Sequence, residues 1–101
     1  MAGELCPKIE TTLSLLGKKW NALIIYTLMN GPKKFSEIEK FITGISSRLL
    51  NERLKELEKE GIIKKNIYNE SHLRIEYELT RKGIDLQDTF KNIGNWAEKW
   101  N

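Results

Sequence analysis

The hydrophobic period of the chain changes at Gly61, and that change limits the folds open to it. Before this glycine, Leu50, Leu54 and Leu57 recur at i, i+4 and i+7, the spacing of one side of a helix. After it, Ile62 to Tyr68 is β-branched and basic, and Arg74 to Leu79 alternates, with Ile75, Tyr77 and Leu79 on one face. The polar residues Asn69, Glu70, Ser71 and His72 suit a projecting loop, so the two strands form one hairpin. Gly61 supplies the left-handed residue after the helix, and a contact between Leu57 and Ile62 sets the direction in which the chain leaves. An amphipathic helix therefore runs directly into a basic hairpin. Its outward side carries Arg48, Asn51, Glu52, Lys55 and Lys59, side chains suited to base edges and phosphates.

The rest of the chain supplies partners for that unit. Pro7 fits the first position of a helix on which Ile9, Leu13 and Leu16 repeat until Gly17. From Lys19 a second helix carries Trp20, Leu23, Ile24, Thr27 and Leu28, and Asn30, Gly31 and Pro32 stop it; its wide apolar stripe makes it the core helix. Ser36 with Glu39 predicts a capping box at the start of a short third helix bearing Ile38, Phe41 and Ile42. Thr43 and Gly44 make the turn, and Ser46 caps the fourth helix, which runs to Glu60. Thr80 caps a last helix along which Leu86, Phe90, Ile93, Ala97 and Trp100 share a side. The expected class is mainly α with a small β-hairpin wing (α+β), a winged helix-turn-helix with an additional C-terminal dimerisation helix. Residues 1–101 are expected to form one domain.

Composition narrows the function classes. Hydrophobic residues make up 40% and charged ones 31%, a balance that supports a folded soluble chain rather than a disordered one. The longest apolar runs fall far short of the roughly 20 residues needed to span a bilayer, and the first residues lack the layout of a secretory signal. No membrane association and a cytoplasmic location are expected. Cys6 is the single cysteine and His72 the single histidine, so an intramolecular disulfide is excluded, and neither a clustered zinc site nor any other metal or cofactor is implied. Paired catalytic carboxylates with a nucleophile and a phosphate-binding glycine loop are both lacking. Gly44-Ile45-Ser46 is a poor nucleophile elbow, since Arg48 stands where the later glycine belongs. The chain is not expected to be an enzyme. The net charge of +3 permits nucleic-acid binding without arguing for it, so the placement of charge carries the argument.

Several blocks in order resemble the HxlR-type family of bacterial regulators, within the MarR-like winged-helix superfamily. They are Cys6-Pro7 leading to Leu16-Gly17-Lys18-Lys19-Trp20, then Gly31-Pro32 with Phe35-Ser36-Glu37-Ile38, then Gly44-Ile45-Ser46-Ser47-Arg48-Leu49-Leu50. Arg53-Leu54-Lys55-Glu56-Leu57-Glu58, Gly61 and Ile75-Glu76-Tyr77-Glu78-Leu79-Thr80 complete the set. Family members often carry a proline pair near His72 and Leu73, and that departure implies a more mobile wing here. The resemblance implies a transcriptional regulator, expected to be a repressor, that binds double-stranded DNA.

On that surface Arg48 and Asn51 are the first candidates for base edges, because arginine bonds guanine and asparagine bonds adenine in bidentate fashion. Ser46, Ser47 and Lys55 are expected to hold phosphates. Arg53 lies near the apolar side and either joins them or pairs with a carboxylate inside the domain. In the hairpin, Lys64, Lys65, His72 and Arg74 are placed to reach phosphates or the minor groove; a merely solvated basic hairpin is the alternative. Lys18 and Lys19 are expected simply to be exposed.

One recognition helix reads few base pairs, and two half-sites about 34–36 Å apart are the usual remedy. A homodimer on a pseudo-palindromic operator is therefore expected, with Ile9 and Leu13 of the first helix and Phe90, Ile93, Trp96 and Trp100 of the last at its interface. These rings could otherwise cap the monomer's own core. Cys6 falls at the cap of the first helix, where free N–H groups favour a thiolate. Some HxlR-type relatives sense electrophiles or oxidants through a similarly placed cysteine, and others do not, so Cys6 is either a sensor or inert. The rival outside DNA binding is a winged-helix module whose helix and hairpin bind a protein.

Overall fold

The computed structural model describes residues 6–101, so the first five residues of the expected domain lie outside the described residues. The element order is α1 (Pro7–Gly17), α2 (Asn21–Leu28), α3 (Phe35–Phe41), α4 (Ser47–Lys59), β1 (Ile63–Asn69), β2 (Leu73–Leu79), α5 (Arg81–Ile84) and α6 (Gln87–Trp100). This is the winged helix-turn-helix anticipated from the sequence, with α3 and α4 as the paired helices and β1–β2 as the wing.

Local chemistry sets most of the ends. The Ser46 hydroxyl accepts the Leu49 N–H at 3.1 Å and starts α4. At the other end the Ile62 N–H donates to the Leu57 carbonyl and the Gly61 N–H to the Glu58 carbonyl, both at 3.0 Å. With Gly61 at φ +75°, this is a Schellman ending. Leu57 and Ile62 are both buried beneath it, and the strand direction follows.

Four details differ from the sequence expectation. Helix α2 starts at Asn21 instead of Lys19 because Trp20 takes a left-handed φ of +85° and reverses the chain after α1. The capping box of α3 does not involve Ser36 and Glu39: Lys34 is the cap residue, and the Glu37 carboxylate accepts its N–H at 2.8 Å. The cause lies outside the helix. Lys33 exchanges both backbone hydrogen bonds with Tyr77, at 2.9 and 2.8 Å, and this extra bridge on the edge of β2 fixes the start of α3. The hairpin loop is Glu70–His72, since Asn69 and Leu73 already pair. The expected last helix is two helices. Thr80 caps only the short α5, its hydroxyl accepting from the Gly83 N–H at 3.3 Å and donating to the Gly61 carbonyl at 2.6 Å. The chain then turns through Asp85 and Leu86 before α6.

Gly83 is required by this crossing. A Cβ there would lie 2.4 Å from the Ile62 carbonyl oxygen and 3.0 Å from Leu79. Gly83→Ala is accordingly expected to cost about 1–3 kcal/mol of stability through overpacking, visible as a lower midpoint in a thermal or urea melt.

The core lies between α2 and the surrounding elements. Ile24, Ile25 and Leu28 of α2 meet Ile38 of α3 and Leu50, Leu54 and Leu57 of α4, and Ile63, Tyr77 and Leu79 close it from the hairpin. Neither α1 nor α6 contributes a fully buried residue. The radius of gyration is 15.3 Å, with extents of 58 × 30 × 24 Å, against about 13 Å for a compact chain of this length. The outer helices extend the molecule beyond its core. No helix among the described residues is long and apolar enough to cross a membrane.

Candidate nucleic-acid interface

Burying Leu50, Leu54 and Leu57 forces the other side of α4 into solvent, and there Arg48, Asn51, Glu52 and Lys55 form one exposed stripe. The Arg48 side chain is 90% exposed; its Nε lies 3.5 Å from a Glu52 carboxylate one turn on. A surface pair of this kind is worth under about 1 kcal/mol, so the guanidinium is readily released to a ligand. Ser46 and Ser47 are exposed but engaged: Ser46 caps the helix, and the Ser47 hydroxyl donates to Glu39 of α3. The latter bond ties the two helices of the motif together.

Arg53 lies elsewhere. Its guanidinium is 3.6 Å from Glu56, its side chain is 26% exposed, and its Nε is buried without a hydrogen-bond partner. Glu56 also accepts from Lys18 and, at 3.1 Å, from the fully buried Asn21, whose Nδ2 additionally donates to the Leu15 carbonyl at 2.9 Å. The Lys18 and Asn21 hydrogen bonds hold the Glu56 carboxyl below the usual range against the opposing effect of burial. This polar cluster joins the α1–α2 corner to the inner side of α4. Sequence reasoning left open an internal carboxylate for Arg53 but missed the bonds from Lys18 and Asn21 to Glu56, which join residues 38 and 35 positions apart. Lys18 is exposed as expected but bound to Glu56, and Lys19 lies over the Trp20 ring at 4.9 Å.

The wing mixes signs more than its lysines suggest. The register pairs Lys64 with Glu78, Asn66 with Glu76 and Tyr68 with Arg74 on one face. Lys64 Nζ lies 3.6 Å from Glu78, which also accepts from Asn66 at 2.8 Å. Arg74 stacks on the Tyr68 ring at 4.5 Å, with its Nε 3.7 Å from Glu76. Lys65 is exposed on the opposite face, beside Tyr77, and His72 sits in the loop against the Ser71 hydroxyl at 3.1 Å. Glu76 and Glu78 stand two residues apart in the sequence, so their shared face was available as a signal.

On the outer helices Ile9 and Leu13 of α1 and Ile93, Trp96 and Trp100 of α6 are all more than half exposed. Phe90 differs: it is partly buried against the core, with its ring 6.2 Å from that of Tyr26. Cys6 is exposed at the cap of α1. Its thiol makes no cap bond, while its carbonyl accepts the Glu10 N–H at 2.9 Å.

Residues 15–101 match the HxlR-like helix-turn-helix family. The HTH-type transcriptional regulator YodB of Bacillus subtilis (strain 168) is 46% identical over 100 residues, covering 99% of this chain and 89% of that protein. The reduced form of YodB superimposes with a TM-score of 0.87 at 46% identity, over 96% of this chain and 95% of that one. The quinone-bound form gives 0.84 at 46% identity, over 95% and 100%.

Proposed function

The chain belongs to the HxlR-like helix-turn-helix family and is a DNA-binding transcriptional regulator, and from that premise we propose that it works as a homodimeric repressor on a pseudo-palindromic operator. It acts in the cytoplasm as one domain, by binding rather than catalysis. The observation that supports this reading is the outward stripe of a capped, rigidly packed α4, where Arg48 and Asn51 stand in solvent with Lys55 one turn beyond. Base readout comes from Arg48 and Asn51, and phosphate contacts come from Lys55, Lys64, Lys65, His72 and Arg74. Arg53 belongs to the internal cluster, and the serines act mainly by fixing α4. Selection of duplexes from a random pool by the purified protein tests the proposal. An inverted repeat with half-sites about 34–36 Å apart is expected, with affinity falling steeply as salt rises. A recovered pool without a motif, or salt-insensitive binding, would favour a protein-binding module instead.

A signal at Cys6 is supported by the exposure of its thiol and by a relative solved in reduced and quinone-bound forms. Addition of a quinone would form a carbon–sulfur bond at a ring carbon, with the thiol proton and the proton of that carbon ending on the two quinone oxygens, and leave a hydroquinone thioether at the cap of α1. Wild-type protein is expected to lose operator binding after quinone treatment, whereas Cys6→Ser retains it. Equal loss in both forms would show that the thiol carries no signal.

A further inference from the structure

Helix α1 is attached to the body by little apolar burial. It has no fully buried residue, and only Leu15 and Leu16 pack, partly buried, against the core. An open cleft of about 240 Å³ lies beside them, lined by Thr11 and Leu15 from α1 and by Glu60, Ile62 and Lys82 from the body. Apolar contact is non-directional, so packing of this kind leaves the angle of α1 loosely set. The polar corner sets it instead. Asn21, fully buried at the start of α2, faces two acceptors, the Leu15 carbonyl at 2.9 Å and the Glu56 carboxylate at 3.1 Å, so its amide must turn Nδ2 toward both. One nitrogen thereby joins the end of α1 to α4. Lys18, the cap residue after α1, adds an ion pair to the same carboxylate. Among the described residues no other side-chain hydrogen bond or ion pair ties α1 and its corner to the rest of the fold.

The helices joined in this way have different duties in the homodimer proposed above, on which the inference rests. Helix α4 reads the duplex, and α1 carries Ile9 and Leu13 toward the partner copy. The angle between them therefore enters the distance between the two α4 helices. At about 1.5 Å per residue the 11 residues of α1 span about 16 Å, so a tilt of about 10° at the corner moves its far end by about 3 Å, close to the roughly 3.4 Å of one base pair. We infer that Lys18, Asn21 and Glu56 are positioning residues that hold α1 at a set angle to α4 and thereby fix the half-site spacing that the dimer accepts. They act from the inner side of α4, away from the stripe of Arg48 and Asn51. Without their bonds α1 swings toward the adjacent cleft, and the two α4 helices sample a range of separations. Such a dimer still reads each half-site but no longer measures the gap between them.

The test uses the full chain, the duplex it selects from a random pool, and derivatives of that duplex with the half-sites moved by one or two base pairs. Wild-type protein is expected to lose about 20-fold or more in affinity for a one-base-pair change, because a fixed dimer must meet both half-sites. Glu56→Ala removes both bonds to α4 and is expected to lose less than about fivefold on the same change, while remaining dimeric in sedimentation and binding a single half-site as wild type does. Its affinity for the original duplex should fall about fivefold, since arms no longer preset must be ordered on binding. Glu56→Gln keeps an oxygen for the Asn21 amide and should retain most of the wild-type spacing preference. Lys18→Met alters a side chain that is 48% exposed, so the melting midpoint should hold and the spacing profile should be intermediate; it decides the matter if Glu56→Ala does not fold. A wild-type spacing profile in the deciding variant, or a uniform loss on single and paired half-sites alike, would overturn the positioning role while leaving the regulator reading intact. A Glu56→Gln protein as permissive as Glu56→Ala would overturn the part given to Asn21. A wild-type protein that selects no inverted repeat would overturn the dimer reading and this inference together.

Discussion

Ile93→Asp is expected to yield a folded monomer whose affinity for a two-half-site operator falls by about 100-fold or more. Ile93 is 55% exposed, and α6 contributes no fully buried residue, so an aspartate there leaves the core of α2, α4 and the hairpin untouched. In a dimer the same position would meet apolar surface, and an unpaired carboxylate in such a contact costs several kcal/mol. The exposed Trp96 and Trp100 continue that surface along α6, and Ile9 and Leu13 offer a second apolar stripe on α1. So much unpartnered aromatic and aliphatic surface on the outer helices supports the proposed association. Losing the dimer turns the second half-site contact from an intramolecular event into an independent one, and linkage of two sites commonly supplies 10²–10⁴ in avidity. Sedimentation velocity at micromolar concentration, paired with titration of one- and two-half-site duplexes, checks the result. A variant that remains dimeric, or a wild type that sediments as a monomer, would remove α6 from the proposed assembly.

The parts of the fold legible in the sequence are those decided within about four residues. Ser46 and Gly61 bracket α4 because a cap hydroxyl and a left-handed glycine act on their own turn. The features that escaped are set by distant partners. Ser36 and Glu39 have a sound local capping pattern, yet the bridge between Lys33 and Tyr77, 44 positions apart, outweighs it and starts α3 earlier. Thr80 has a sound cap as well, but α5 ends after one turn, where Gly83 crosses close over the Ile62 carbonyl. The site shows the same division. The exposed stripe of α4 follows from periodicity alone, whereas the burial of Arg53 depends on Glu56 and on the α1–α2 corner beyond it. The charges of the wing were legible singly; their neutralisation by Glu76 and Glu78 required the strand register.

That contrast between α4 and the wing predicts different effects for their substitutions. Arg48→Ala should reduce affinity for the selected operator by about 5- to 150-fold, the equivalent of roughly 1–3 kcal/mol for a bidentate base contact, and relax preference at one base pair. The Arg48 side chain is 90% exposed and held only by a loose pair with Glu52, so its removal does not disturb the fold. Arg48→Lys should recover the phosphate-type attraction with weaker discrimination, because an ammonium is a rotatable point charge without the rigid planar fork of donors that a guanidinium presents. Lys64→Ala should act otherwise. Lys64 already lies 3.6 Å from Glu78, so DNA must compete with that carboxylate, and its loss should weaken all sequences by the same few-fold factor and lower the salt slope by about one. Titrations of the three variants against the selected duplex and its single-base substitutions separate the two behaviours. If Arg48→Ala instead weakens matched and mismatched duplexes equally, Arg48 binds backbone, and the proposed readout passes to Asn51, whose amide can bond an adenine edge in bidentate fashion.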